Sequence, residues 1–257
     1  MKLLTPNEHL SSRDRTIVNI GTLVTIILFW SLANSTLLPR PREIAEAAYD
    51  LISTKDLVRH FIISIGLCFK GIGIAAIISM FIAYIATIPL FKSFSYYLTK
   101  FRFLPTVGIS FLFMKLSSNV DEQKVMLLTF GISAFLVDSI YSVVTSTTQD
   151  EINYARTLQL NQWKTLWEVI IVGKLDKVFE SIRQNFAIAW MMLATVENLC
   201  KSQGGIGVIL SDLNKWFKFE YVYAVQIYIL LTGILLDVFL TKLKYFLFPY
   251  TVLNVKK

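Results

Sequence analysis

The sequence has few of the residues on which most catalytic and metal sites depend. It contains 2 cysteines and 2 histidines among 257 residues. Cys68 and Cys200 lie in apolar segments with no pair or metal-ligand spacing, so buried free thiols are the simplest expectation. His9 and His60 lie in separate polar regions and are predicted to be solvated. There is no Walker motif and no nucleophile beside a base, which argues against an enzyme that hydrolyses a substrate by itself.

Long polar stretches are also missing. No polar interval is long enough to bury a core of its own, which excludes a large soluble domain. Hydrophobic residues make up 54% of the chain and the mean hydropathy is +0.57, values typical of a membrane protein. The net charge of +7 comes from Lys and Arg spread over the ends of apolar segments. That distribution indicates membrane topology and not nucleic-acid binding.

Six apolar segments are candidates for membrane-crossing helices. No small-residue cleavage site follows the first, so we expect an uncleaved transmembrane helix and not a signal peptide. The third is short, and Pro105 near its start predicts a tilted and kinked helix or a re-entrant segment. Residues 1–257 are therefore expected to form a single all-α transmembrane domain. The predicted spans are approximately residues 16–33, 61–88, 103–116, 125–144, 184–200 and 221–240.

Three connections between the spans have local signals. Residues 44–52 have the spacing of a short surface helix after a Leu-Pro-Arg-Pro break, although an ordinary loop is an alternative. Residues 89–102 are predicted to form a short basic turn. The glycines at 204–207 predict a tight turn, because the Lys and Ser/Thr of a phosphate-binding loop are missing.

Three charged residues lie inside predicted spans, where a charge is costly and is usually functional. Lys70, Asp138 and Glu197 are therefore candidates for lining a transport pathway. Each has a structural alternative. Lys70 could extend to the membrane surface, Asp138 could support a packing contact, and Glu197 could be a satisfied polar residue between helices.

The polar segment 151–183 lies between two strongly apolar runs and is longer than a connection needs to be. Ile152, Ala155 and Leu158 fall on one side at helical spacing, which predicts a short helix. A long connection with its own helical pattern usually contacts a partner. The segment is therefore a candidate docking surface.

A second short helix is predicted to begin at Asn161, because asparagine is a favourable N-cap residue. This helix carries Trp163 and Trp167 one turn apart. Together with a bend near Gln159 and Leu160, the two helices predict an exposed, angular surface. The alternative is an amphipathic helix that lies at the membrane interface.

These residues resemble the EAA loop in the permease subunits of bacterial ABC importers. The similarity is strongest to the branch for nitrate, aliphatic sulfonates and taurine, the binding-protein-dependent inner-membrane components. It extends from about residue 37 to 249. The residues that carry it are Tyr154, Ala155, Arg156, Thr157, Leu158, Trp163, Trp167, Val169 and Arg183. The chain departs from the family pattern at Asn153-Tyr154 (Glu-Ala in the family), at Gln159 (the turn glycine), and at Val172 and Asp176 (two prolines).

The resemblance implies a type I ABC importer permease (MetI-like) fold with a cytoplasmic coupling helix. We call residues 151–183 the EAA-like loop. In the family this loop fits a groove of the ATP-binding subunit, where ATP and Mg are bound, so the permease itself would need no cofactor. The residues expected to make the contact are Ala155, Arg156, Thr157, Leu158, Gln159, Trp163 and Trp167.

The resemblance also implies partners and a location. The expected partners are an ATP-binding subunit, an extracytoplasmic substrate-binding protein, membrane lipid and a second permease copy, with a homodimer favoured. The positive-inside rule places more Lys and Arg in the cytoplasm when both termini and the EAA-like loop lie there. We therefore expect a multi-pass protein of the bacterial cytoplasmic membrane with both termini cytoplasmic.

Other functions remain open from sequence alone. An ion-coupled secondary transporter could use Lys70, Asp138 and Glu197 as coupling charges, although no internal repeat of the kind common in such carriers is visible. The altered EAA positions would also suit a degenerate, non-transporting scaffold. The family's commonest cargo is a small anion, and the sequence does not choose among nitrate, a sulfonate, bicarbonate and a vitamin precursor.

Overall fold

The computed structural model describes residues 12–32, 39–53, 56–201 and 204–251. All regular structure within these ranges is helical, and the prediction of an all-α fold is confirmed. The α-helices are α1 (Ser12–Leu32), α2 (Pro41–Ser53), α3 (Asp56–Ile85), α4 (Pro89–Lys100), α5 (Thr106–Leu116), α6 (Val120–Thr145), α7 (Gln149–Thr157), α8 (Gln162–Thr165), α9 (Leu175–Cys200), α10 (Ile206–Lys215) and α11 (Phe219–Leu247).

Three helices in the described ranges are long and apolar enough to cross a membrane: α3, α6 and α11, with 30, 26 and 29 residues. At about 1.5 Å of rise per residue, each exceeds the ~30 Å thickness of a bilayer's hydrocarbon core. They overlap the predicted spans 61–88, 125–144 and 221–240. Helices α1 and α9 overlap the predicted spans 16–33 and 184–200, and residue 33 lies outside the described ranges.

Helix α6 forms the centre of the core. Leu127, Leu128, Ile132, Leu136 and Ile140 on α6 are all fully buried. Helices α3 and α9 supply the apolar residues that pack with them. Each such side chain contributes about 1.5–3 kcal/mol when it is removed from a polar environment. Within a membrane this drive is weaker, and close packing is what fixes α6 against its neighbours.

Close packing between α3 and α6 depends on a glycine. A Cβ atom at Gly71 would lie 2.7 Å from the Leu128 side chain. The missing side chain lets Leu128 lie directly against the backbone of α3. Small residues serve this purpose widely in membrane helices.

The predicted basic turn at 89–102 is wrong, because Pro89–Lys100 forms the 12-residue helix α4. Pro89 lies in the first helical turn, where its fixed φ and missing N–H are favourable. Ser95 and Thr99 face inward, and Ser95 Oγ donates to the Ile82 carbonyl at 3.4 Å. Exposed aromatic residues between the lysines obscure this pattern in the sequence.

The third predicted span, 103–116, is only partly a regular helix. Helix α5 has 11 residues and begins after Pro105, whose backbone is extended (φ −68°, ψ 125°). A short 3-10 turn, Phe101–Phe103, joins it to α4. Contacts such as the Phe113 and Phe130 rings, 5.6 Å apart, place this bent segment along α6. The structure therefore has a kinked helical segment where Pro105 predicted a kink.

The helix predicted at 44–52 is confirmed as α2. Ile44 and Ala47 are buried and pack with Ala224 of α11. The Trp30 Nε1–H donates to the Pro39 carbonyl at 3.2 Å, which ties α1 to the start of α2. The chain before α2 is thereby linked to the last helix.

Candidate coupling loop and the charged residues of the spans

The first helix of the EAA-like loop begins with a capping box. The Thr148 side chain accepts from the Glu151 N–H at 3.3 Å, and the Glu151 carboxylate accepts from the Thr148 N–H at 2.9 Å. These two bonds satisfy backbone donors that a helix start leaves free. Ala155 faces inward and is only 1% exposed. Helix α7 is therefore well defined despite its nine residues.

The bend after α7 lies at Gln159, which adopts φ +59°. This is the left-handed region, which costs a residue with a side chain about 1–2 kcal/mol. The Gln159 N–H donates to the Arg156 carbonyl at 2.9 Å, and the Leu160 N–H donates to the Ala155 carbonyl at 3.2 Å. The turn of the EAA motif is thus formed with glutamine where the family has glycine.

The predicted N-cap at Asn161 is confirmed. Its side chain accepts from the Lys164 N–H at 2.8 Å and begins α8. The α-helix does not continue, however. It passes into a π-helical turn, Leu166–Ile171, and a 3-10 turn, Val172–Lys174, before α9. Such π turns occur often at functional sites.

Large apolar side chains cover the outer surface of the EAA-like loop. Their exposed fractions are 68% for Tyr154, 57% for Leu158, 69% for Trp163 and 59% for Trp167. A protein surface does not usually gather so many large apolar groups unless something covers them. Of the predicted contact residues, Ala155 is buried, while Arg156, Thr157, Leu158, Gln159, Trp163 and Trp167 share this exposed surface.

A buried lysine fixes the EAA-like loop to the core, and the sequence analysis did not identify it. The Lys174 side chain is only 4% exposed and pairs with Glu151 at 3.3 Å. Its Nζ also donates to Ser146 Oγ at 3.4 Å, just beyond the end of α6. The N–H of Thr148 and then the Lys174 ammonium hold the pKa of the Glu151 carboxyl below its usual value. Lys174 thus connects α6, α7 and the start of α9.

A second set of ion pairs joins α9 to α11. Arg183 binds Glu180 and Asp237, and the Lys244 Nζ lies 2.8 Å from Glu180. The hydrogen bond from Arg183 is the main cause that lowers the pKa of Glu180 to about 2. Arg183 was recognised in the sequence through the family resemblance alone. Its structural role is to tie the end of the EAA-like loop to the last helix.

Glu197 is fully buried at the other end of α9, where it binds the start of α10. Ser64 Oγ donates to Glu197 Oε1 at 2.5 Å, and the Gly207 N–H donates to Oε2 at 2.8 Å. Ser64 Oγ also accepts from the Ile206 N–H at 2.9 Å. These contacts match the alternative role, a satisfied polar residue between helices. A pathway role for Glu197 remains a prediction.

The glycines at this end form the predicted tight turn. Gly204 and Gly205 have φ values of +100° and +123°, which favour glycine. A Cβ atom at Gly207 would lie 2.1 Å from the Ala194 carbonyl oxygen, so only glycine fits there. The turn also corrects one prediction. His60 is partly buried, and its Nδ1 accepts from the Gly205 N–H at 2.8 Å, so it is not simply solvated. His9 lies outside the described residues.

The other two charged residues of the spans lie in separate places. Asp138 pairs with Arg102 at 2.6 Å, which joins α6 to the bend between α4 and α5. Lys70 is exposed at the middle of α3, and it forms no ion pair or hydrogen bond with any residue in the described ranges. Lys70, Asp138 and Glu197 are therefore not one cluster. The two cysteines are free thiols, as expected, with Cys68 buried and Cys200 half-buried.

Comparison with known proteins agrees with this architecture. Residues 74–244 match the family model described as binding-protein-dependent transport system inner membrane component. The chain belongs to this family. The chain is 24% identical over 229 residues to the putative aliphatic sulfonates transport permease protein SsuC of Bacillus subtilis, which covers 85% of this chain and 82% of the relative. It is 25% identical over 114 residues to the bicarbonate transport system permease protein CmpB of a Synechocystis species, covering 42% and 41% of the two chains.

A solved structure supports the fold of this permease. The match is to a chain in the crystal structure of an amino acid ABC transporter with histidines, with a TM-score of 0.58 and 18% identity. The alignment covers 77% of this permease and 95% of that chain. The expected ABC importer permease fold is confirmed. This permease is a membrane-spanning transport component and not an enzyme.

Proposed function

We propose that this permease is the membrane subunit of an ATP-driven importer and forms the pathway for a small anionic solute. A separate ATP-binding subunit docks on residues 151–175 of the EAA-like loop. The observation that carries this proposal is the exposed apolar surface of Tyr154, Leu158, Trp163 and Trp167. Because Lys174 fixes the same segment to α6, a movement of the bound subunit is transmitted to the helix at the centre of the core.

The assembly follows from the single bundle of helices. One permease supplies part of a pathway, so two copies, preferably identical, enclose it around a symmetry axis. The ATP-binding subunits bind ATP and Mg, and this chain binds no cofactor. Both termini and the EAA-like loop lie in the cytoplasm, the side on which ATP is available. A substrate-binding protein delivers the solute from the other side.

An anionic solute is supported by two kinds of observation. The printed functions of both relatives concern anions, namely aliphatic sulfonates and bicarbonate. In this permease, Lys70 offers an unpaired ammonium within a spanning helix. Such a group favours a negatively charged solute over a cation.

The test is recovery of the partner. Tagged permease is isolated from its native membranes in a mild detergent, and the associated proteins are identified by mass spectrometry. We expect an ATP-binding cassette subunit, and we expect Leu158→Asp or Thr157→Asp to abolish its recovery and to uncouple ATP hydrolysis from uptake. Phe217→Asp is the matched control, because Phe217 is 75% exposed at the opposite end of the bundle. A permease that is recovered alone and takes up solute with an ion gradient would be a secondary transporter instead.

A further inference from the structure

Lys70 lies in an unusual place for an unpaired charge. It is at the midpoint of α3, a helix of 30 residues. Half of such a helix is about 20 Å long, which is farther than a lysine side chain extends to reach the membrane surface. Because an ammonium exposed to lipid at that depth is costly, Lys70 must face water, protein or a solute.

Two cavities meet at Lys70. One is polar, with a volume of about 800 Å³, and lies beside the turn before α6. The other is mostly apolar, with a volume of about 640 Å³, and lies between α3, α6 and the bent segment of α4 and α5. Lys70 lines both of them. It therefore marks the boundary between a polar entrance and an apolar inner space.

The lining of the inner cavity is that of a site for an apolar group. Residues that form its walls include Ile74, Ile78, Phe113, Met126 and Phe130. Thr129 and Ser133 add hydroxyl groups to this wall. The volume is within the ~300–1,000 Å³ range of small-molecule sites. An apolar cavity with a single ammonium at its edge fits a molecule that has both an anionic and an apolar part.

We infer that Lys70 binds the anionic group of the transported solute while the solute's carbon chain or ring occupies the inner cavity. The solute class is an organic monoanion, such as a short alkyl or aryl sulfonate or carboxylate. This inference rests on the proposed importer function and specifies its substrate. It assigns Lys70 as a solute-binding residue and the wall residues as determinants of specificity.

Other occupants fit this site less well. A hydrated inorganic anion such as nitrate would lose its water in the apolar cavity without replacement hydrogen bonds. A phospholipid headgroup belongs at the membrane surface, not at the midpoint of a spanning helix. Glu122 lines both cavities as well, and its carboxylate accepts from the Ser118 N–H at 2.8 Å. That negative charge near Lys70 favours a monoanion over a dianion.

The experiment measures anion binding to the full chain in lipid nanodiscs. The probes are 1-butanesulfonate and nitrate. We expect butanesulfonate to bind, and nitrate to bind about tenfold more weakly or not at all. Lys70→Met is expected to weaken butanesulfonate binding by about tenfold or more, while Lys70→Arg retains it. Lys92→Met is the matched control, because Lys92 is also exposed but does not line either cavity.

A second variant tests the inner cavity separately. Ser133→Phe fills the space beside Thr129, so it is expected to reduce butanesulfonate binding while Lys70 stays in place. Unchanged binding in Lys70→Met would overturn the assignment of Lys70. Nitrate binding as tight as that of butanesulfonate, or no butanesulfonate binding to the wild-type chain, would overturn the substrate class.

Recovery of the ATP-binding subunit separates these results from the importer proposal. Wild type and Lys70→Met are both expected to retain that subunit, because Lys70 lies far along the chain from the EAA-like loop. If they retain it and Lys70→Met binds butanesulfonate normally, only the inference about Lys70 fails. If the wild type does not retain it, the importer proposal fails.

Discussion

The two ends of α6 and α9 treat their polar and apolar groups in opposite ways. At one end, Glu197, Ser64 and Lys124 are buried, and hydrogen bonds to the turn at 204–207 satisfy them. At the other end, the EAA-like loop exposes large apolar side chains such as Trp163 and Trp167. The first end is complete within one chain. The second has the composition of a surface that a partner covers.

The difference shows where movement can enter the permease. Buried and fully satisfied polar networks hold one arrangement, because any change leaves costly unpaired groups. The EAA-like loop has one buried ionic contact, Lys174 with Glu151, beneath an exposed surface. A force applied to the loop therefore reaches α6 through Lys174, while the glycine turn at the opposite end keeps the helices in register.

The largest expected loss of stability comes from opening the buried end. Glu197→Leu removes both acceptor oxygens and leaves the Ser64 hydroxyl and the Gly207 N–H without their partner. We expect the free energy of unfolding to fall by about 3 kcal/mol. Thermal unfolding in nanodiscs measures it, and Asp212→Leu, at an exposed carboxylate of α10, is the control. Equal midpoints for the two variants would mean that this end is not locked.

A smaller loss is expected when the loop is detached from α6. Lys174→Leu removes the pairing with Glu151 and the hydrogen bond to Ser146, which we expect to destabilise α7 by about 1–2 kcal/mol. Amide hydrogen exchange should then become faster in α7 and remain unchanged around Glu197. Lys177→Leu, at an exposed lysine of the same segment, should leave both regions as they are. Unchanged exchange in α7 would contradict the role of Lys174.

Acid should loosen the end that carries the loop. The pKa of Glu180 is lowered to about 2, first by the hydrogen bond from Arg183 and further by Lys244. A carboxylate with a lowered pKa stabilises the folded state above its unfolded pKa, here 4.5, and this contribution disappears as the pH falls through about 2. Glu180→Gln should remove this part of the pH dependence of unfolding between those values. The same acid profile in wild type and variant would show that Glu180 contributes nothing.

The smallest effect concerns the bend of the loop. Gln159→Gly removes the cost of placing a side chain at φ +59°, so we expect a gain of up to about 1 kcal/mol in stability. Gln184→Gly, inside α9, should instead destabilise the chain by about 1 kcal/mol. Thermal unfolding of both variants tests the pair. A loss of stability in Gln159→Gly would mean that the glutamine side chain makes a compensating contribution.

Local signals in the sequence predicted those elements that depend on neighbouring residues. The helix starts at Asn161 and Pro41 are examples, since a cap or a proline acts within one turn. Long apolar runs likewise predicted the segments that became α3, α6 and α11. Family resemblance supplied the meaning of the EAA-like loop, because no local rule distinguishes a docking surface from an interfacial helix.

Contacts between distant residues were not accessible in this way. Glu197 binds Ser64 across 133 positions, and Lys174 binds Ser146 across 28. Nothing near either residue in the sequence marks its partner. Helix α4 was missed for another reason, since its outer surface is as apolar as a buried one and its helical period is hidden. The positive φ of Gln159 arises because the chain must turn there, whatever residue is present.

Site-specific cross-linking tests most directly whether the EAA-like loop is the docking surface. A chain with Cys68→Ala and Cys200→Ala receives either Trp163→Cys or Trp216→Cys and is treated in native membranes with a photoreactive thiol reagent. The two tryptophans are 69% and 77% exposed, at opposite ends of the bundle. We predict a cross-linked product with the ATP-binding subunit at position 163 and none at 216. A product at 216 alone, or at neither position when the subunit is present, would contradict the docking surface proposed for this permease.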